Sequence, residues 1–329
     1  MRKFNLLVLL AFISILLACN SSKKITDTNN GSEEKKVLLH LPLEERLEIA
    51  KRYDYISDFH EGLAKVCLNG KLGFIDKSGK QVIPCIYDGA GDFNEGLAKV
   101  YLNGKWGFID KNGKQVIPCI YDETNRFCEG RASVVINDKY GFINKSGKQV
   151  VPCKYDCAEN FSEGLARVEL NGKYGLIDKN GSEVAPCKYE DVEDFSEGMA
   201  LVIIGEWETG KRGFIDKSGK EVIPCKYEGA DAFSEGLAAV RLNGKCGFID
   251  KSGKLVVPYK YDTALEFHKG LACVELNGKY GFIDKSGNEV IPCKYDWAHY
   301  FSDGLIKVHI NGKWGIIDKS GKQVIPCIH

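Results

Sequence analysis

From Tyr53 onward, short runs of alternating apolar and polar residues are separated by turn residues. In Leu97-Ala98-Lys99-Val100-Tyr101-Leu102, the side chains of Ala98, Val100 and Leu102 fall on one side of an extended chain. A period of two predicts a strand with one buried face. Asn103-Gly104 follows, and both residues tolerate the positive φ of a type I′ turn, so a tight hairpin is expected into Trp106-Gly107-Phe108-Ile109-Asp110. A second turn, Lys111-Asn112-Gly113-Lys114, leads into Gln115-Val116-Ile117-Pro118. Proline cannot donate to a ladder, so it either ends this third strand or lies on an edge. In the connecting segment Tyr87-Asp88-Gly89-Ala90-Gly91-Asp92-Phe93, Tyr, Ala and Phe recur at i, i+3 and i+6 after a capping Asp. That spacing predicts one helical or 3₁₀ turn that docks Tyr and Phe.

This phrase is written eight times. The glycine of the return strand recurs at Gly73, Gly107, Gly141, Gly175, Gly213, Gly247, Gly281 and Gly315, at intervals of 34 residues except for one of 38. A fixed period of this size implies a modular array. Each three-stranded unit is too small to bury its own core, so neighbours must share theirs. The expected fold is all-β: eight tandem three-stranded meanders over 53–329, stacked as an open solenoid or superhelix. The alternative is an eight-bladed, propeller-like ring, for which a fourth short segment per unit speaks.

The chain ahead of the array reads differently. Arg2 and Lys3 precede an apolar run from Leu6 to Ala18, broken only by Ser14. Its thirteen residues span about 20 Å as a helix, short of the roughly 30 Å bilayer core, so a signal segment over 1–18 is the expectation. The ending Leu16-Leu17-Ala18-Cys19 resembles the lipobox of bacterial lipoproteins. That resemblance implies cleavage before Cys19, whose sulfur and amine carry acyl chains; two or more chains anchor stably. Residues 19–36 are polar and read as a flexible tether. Within 37–52, the stretch Pro42 to Lys51 has proline in the first turn, acids early and bases late, which predicts a short helix capping the first repeat.

The phrase Asn-Gly-Lys-Trp-Gly-Phe-Ile-Asp-Lys, with Glu-Gly-Leu-Ala before it and Val-Ile-Pro after it, resembles the bacterial WG (tryptophan–glycine) repeat over about 53–329. The resemblance implies an exported, repeat-built β protein and no settled biochemical role. The tryptophan itself is intact only at Trp106 and Trp314; Leu72, Tyr140, Tyr174, Arg212, Cys246 and Tyr280 stand elsewhere. Such variety suits a half-exposed packing position better than a catalytic one.

Forty-five basic and 45 acidic residues leave no net charge, so nucleic acid is not an expected partner. Cys85, Cys119, Cys153, Cys187, Cys225, Cys293 and Cys327 follow the repeated proline, and Tyr259 replaces the eighth. An exported disulfide ladder is one reading. The odd number and the spacing of stacked units favour the other, small buried apolar groups. No Cys-x-x-Cys occurs, Cys153 and Cys157 lack a second pair, and the six histidines follow no period, so no metal is expected. The turn aspartates (Asp76, Asp110, Asp178, Asp216, Asp250, Asp284, Asp318) stand singly beside Lys and read as turn formers rather than calcium ligands. Nucleophile elbow and phosphate loop are both missing, so no catalytic residue and no cofactor is expected.

The breaks in the repeat are the functional leads. Repeat five inserts four residues and places Trp207 in Gly205–Lys211, a candidate partner contact or a tolerated surface insertion. Trp297, His299 and Tyr300 replace small or polar residues in the last docking turn; Trp297 and Tyr300 are candidate contacts, or they cover the last repeat. The expectation is a non-catalytic binding scaffold, held by the Cys19 lipid at the cell envelope, on the outer membrane or cell surface. Its partner would be a protein or glycan. A structural spacer without a ligand is the alternative.

Overall fold

The computed structural model describes residues 43–300 and 304–327. The signal segment, Cys19, the tether and residues 37–42 lie outside the described residues. The chain divides into two compact units, Met1–Cys119 and Ile120–His329, the division falling in the strand Gln115–Tyr121.

The first unit opens with helix α1 (Leu43–Arg52), which carries Glu44 and Glu45 in its first turn and Lys51 and Arg52 in its last, each matched to the helix dipole. Sheet 1 follows: β1 (Tyr55–His60), β2 (Leu63–Leu68), β3 (Lys71–Asp76) and β4 (Gln81–Tyr87), antiparallel in that order. Sheet 2 repeats the order from Gly89 to Tyr121. The second unit contains six more four-stranded antiparallel sheets, each in chain order, ending with Gln323–Ile325.

The two-residue turn forms as its sequence requires. Asn69 (φ 52°) and Gly70 (φ 75°) join β2 to β3, and Val66 faces Gly73 in the ladder. The next pairing is irregular. Leu72 faces Tyr87 and Phe74 faces Ile83, so three residues of β4 (Pro84, Cys85, Ile86) oppose the single residue Gly73. This bulge accommodates the proline, and β4 is an edge strand that runs on to Tyr87. The proline therefore does not end its strand. The bulge also explains the repeated glycine: a Cβ at Gly73 would lie 2.5 Å from the Ile83 carbonyl oxygen and 2.8 Å from the Cys85 nitrogen.

The expected helical docking turn does not form. Gly89–Ala90 pairs with Tyr101 and Val100 as a short first strand, with amides of Asp88 and Gly91 bonded to the carbonyls of Tyr101 and Lys99. Pairing satisfies these amides within the sheet, which a single isolated turn does less completely. Each unit is thus four-stranded, its fourth strand supplied by the segment read as a turn.

Within each unit, every sheet presents a leading face to its predecessor and a trailing face to its successor. Leu63, Phe74, Ile83 and Tyr87 on the trailing face of sheet 1 share a core with Phe93, Ala98, Val100 and Ile109 on the leading face of sheet 2. The second unit repeats this from sheet 3 through sheet 8. At two seams of the second unit the docking phenylalanine meets a phenylalanine of the preceding sheet edge-on: Phe142–Phe161 and Phe214–Phe233 have centroids 4.8 Å apart. Such pairs contribute about 0.5–1.5 kcal/mol beyond their buried area.

Helix α1 covers the leading face of sheet 1. Ile49 and Tyr53 join Phe59, Ala64, Val66 and Ile75 in one core. Gly113 of sheet 2 lies under Ile83 of sheet 1, and Gly79 of sheet 1 lies under Ile49 in the same way. The helix thus stands in for the last strand of a preceding sheet.

Candidate functional site

The charged residues of the repeat are mostly spent on joining sheets. Glu129 adopts φ 51°, unusual for a residue with a side chain, and its carboxylate accepts the amides of Glu163 and Gly164 in the next sheet. Lys179, from the second turn of that sheet, bridges the same carboxylate at 2.9 Å. Glu61, Glu197 and Glu235 repeat the arrangement with Lys111, Lys251 and Lys285. The Lys179 ammonium and the two amides hold the Glu129 carboxyl below its ordinary range. In sheet 7 the position holds Lys269, and Lys319 of sheet 8 meets its carbonyl instead. At the opposite end, Asp156 accepts the Asn171 amide of its own hairpin and pairs with Lys139 of the preceding sheet.

The turn aspartates are occupied locally. Asp76 Oδ1 accepts the amides of Ser78 and Lys80 and the Ser78 hydroxyl, and Asn144 makes the same bonds with a neutral amide. A neutral group in the same role marks a turn former rather than a cation ligand.

The cysteines after proline carry free thiols, half-buried. Cys119 and Cys153 each point a thiol at the carbonyl of Val100 or Val134, 3.8 Å away. Burial, with Glu221 beside it, pushes Cys225 up to about 11. Such thiols are weak nucleophiles at neutral pH and serve as small packing groups.

Trp207 lies on the four-residue insertion and is 54% exposed. The loop is built rather than merely long. Gly205 takes φ 98°, the Gly210 amide donates to the Glu206 carbonyl at 2.6 Å, and a Cβ at Gly210 would sit 2.5 Å from that oxygen. Arg212, at the position of the repeat's tryptophan, donates to the carbonyls of Trp207, Gly210 and Glu228. Sequence reasoning identified the insertion and missed its clamp, which the departure at position 212 signals.

Sheet 8 gathers the other leads on its trailing face. Trp297 and Trp314 are 38% and 49% exposed and meet edge-on at 5.3 Å. His299 stacks on Trp297, His309 packs against Trp314, and the Lys307 ammonium lies 4.3 Å from a Trp314 ring centre. Tyr300 is not part of this surface. It is half-buried, its hydroxyl donates to the Leu271 carbonyl, and its ring packs on Phe282 of sheet 7. Burial pushes its hydroxyl well above the ordinary range. Sequence reading missed Lys307 and His309. The recurrence of the Lys99–Trp106 pair in sheet 2, 4.7 Å apart, was the available signal.

Comparison with known proteins agrees with this geometry at the level of the repeat. The family described as WG containing repeat matches residues 45–71, 73–106, 106–140, 140–174, 174–206, 213–246, 247–280, 280–314 and 314–328. The chain belongs to the WG containing repeat family. No curated protein matches it. Among solved structures it is similar to a eukaryotic initiation factor, at 10% identity and a TM-score of 0.41, over 83% of this chain and 89% of that one. Kluyveromyces lactis Hsv2p is similar at 10% identity and a TM-score of 0.32, over 68% and 89%. At these scores neither carries a functional argument.

Proposed function

We propose that this protein is an exported, lipid-anchored scaffold that makes contacts at the cell envelope and performs no chemistry of its own. One observation carries the reading. The residues that break the repeat include two large exposed aromatics, Trp207 and Trp297, and the consensus tryptophan Trp314 beside Trp297 is exposed as well, whereas most repeated aromatics lie buried between sheets. Exposed tryptophan on a braced loop is a common anchor for a partner. Anchoring rests on the amino-terminal sequence, through acyl groups on Cys19, and the partner is a protein or glycan outside the cytoplasm. The uniform spacer is the second reading, favoured by the repeated Lys–carboxylate rungs, which leave an even polar surface.

One experiment addresses both parts. Membranes are separated from cells expressing wild type or Cys19→Ser, and segment 37–329 is used for capture from intact cells beside Trp207→Ala. The scaffold predicts membrane association lost with Cys19→Ser, and retained components lost with Trp207→Ala. Capture no better than background supports the spacer and ends the scaffold reading.

A further inference from the structure

Position 307 of the repeat faces the following sheet, and its occupant shows how a cation there is met. In sheet 1 this residue is Lys65, which pairs at 3.0 Å with Asp92, supplied by the first segment of sheet 2. In sheet 4 it is Arg167, which lies over the Tyr174 ring and pairs at 2.8 Å with Asp191 on the first strand of sheet 5. In both sheets the cation meets a carboxylate delivered by the sheet that covers the face, and in sheet 4, where Tyr174 stands at the tryptophan position that is Leu72 in sheet 1, the cation also lies over a ring. Sheet 8 has the cation and the ring. Lys307 lies over Trp314, and no carboxylate pairs with it among the described residues. Around it Trp297 and Ile325 remain exposed. The two histidines beside the tryptophans add no negative charge.

We propose that the trailing face of sheet 8 is a docking site for an acidic polypeptide segment. That segment carries Asp or Glu next to apolar residues and lies across the sheet as Asp191-Val192 lies on sheet 4. Its carboxylate pairs with the Lys307 ammonium, and its apolar residues cover Trp297, Trp314 and Ile325. The seam between successive sheets is the precedent, and a cation without a carboxylate partner among the described residues gives the sign of the partner's charge. A polypeptide is favoured over an acidic glycan because both internal precedents, Asp92 and Asp191, are carboxylates of a chain segment laid against the face, Asp191 from within the strand Asp191–Val192. The inference rests on the scaffold reading and names one partner class for one of its surfaces.

The full chain, with Trp106 and Trp207 replaced by Phe, reports this face through the emission of its two remaining tryptophans. It is titrated with a synthetic peptide of residues 189–196, with the same peptide carrying Asn and Gln at its acids, and with oligogalacturonate. The acidic peptide is expected to shift the emission, the neutral peptide to bind at least tenfold more weakly, and Lys307→Met to cost about tenfold. That factor corresponds to a charge-assisted bond of roughly 1.4 kcal/mol. Lys307→Met keeps the aliphatic stem over Trp314, so a loss reports the charge. Equal binding of the neutral peptide, or indifference to Lys307→Met, overturns the proposal. A response to oligogalacturonate without one to the peptide assigns the face to glycan, and an emission shift on concentrating the chain alone assigns it to a second copy; either overturns the polypeptide. Failure here with Trp207-dependent capture intact leaves the scaffold standing, whereas failure of both removes it.

Discussion

The first and last sheets of the array are built from the same phrase and end in opposite ways. The leading face of sheet 1 is closed by Ile49 of α1 and by Tyr53 just after it, which take the places that Ile83 and Tyr87 hold one sheet later. The trailing face of sheet 8 keeps the apolar framework and carries Lys307 and Trp314, as sheet 2 carries Lys99 and Trp106, with His309 added, and its last described strand is Gln323–Ile325. Terminal repeats need a polar or covered outer face to stay soluble. A helix covers the leading face of sheet 1, whereas the trailing face of sheet 8 presents charge and aromatic rings, and such a face is also one that can be recognised.

The largest effect expected from this contrast is in the bulge. Gly281→Ala places a methyl 2.5 Å from the Ile291 carbonyl oxygen and 2.7 Å from the Cys293 nitrogen, all fixed backbone, and overpacking of that kind costs about 3 kcal/mol. Gly315→Ala in sheet 8 first meets the Cys327 thiol, which can rotate, beside a shorter strand, so a smaller loss is expected. Thermal unfolding of the two variants side by side checks this; equal losses would show that the last sheet is as tightly closed as the interior ones.

Next in size is the cap. Ile49→Ala is expected to cost about 2 kcal/mol, the low end for a buried isoleucine, because a surface helix can settle toward the sheet. Hydrogen exchange should rise in β1–β4 and stay unchanged in sheet 8. Unchanged protection in β1–β4 would mean that α1 is ornamental.

The smallest effect separates the rungs by pH. Glu129 has its carboxyl held down in the folded state by Lys179 and the amides of Glu163 and Gly164. Its contribution is therefore complete above the unfolded value near 4.5 and disappears as pH falls through the lowered folded value. Partly exposed pairs are worth no more than about 1 kcal/mol each. Acid should loosen the seam between sheets 3 and 4, and Glu129→Gln should remove that sensitivity. The seam between sheets 7 and 8 uses the Lys269 carbonyl and should not respond through its rung. A pH profile of amide exchange that is identical at the two seams would refute the carboxylate's role.

Much of this organisation was legible before any coordinates. Period, strand count per hairpin and the Asn-Gly turn depend on residues that are neighbours in the chain. The turn-forming role of the aspartates also followed from residue types, whereas the cysteines after proline, read as small buried groups, are half-buried. The helical docking turn was misread because Tyr, Ala and Phe at i, i+3 and i+6 have the same spacing whether they line a turn or face a neighbouring sheet from an extended segment. Of the candidate contacts, Trp207 and Trp297 are exposed and Tyr300 is engaged inside its unit.

Local chemistry by itself determined the repeat, its strands and its positive-φ hairpins, because a dipeptide such as Asn69-Gly70 carries its preference wherever it stands. Only the tertiary structure decided what the Glu129 carboxylate holds, because the amides it accepts belong to residues some 34 places further along. The same holds for Lys65 and Lys307. They share one repeat position, and whether the charge is paired depends on what lies across the seam, which a linear pattern does not encode.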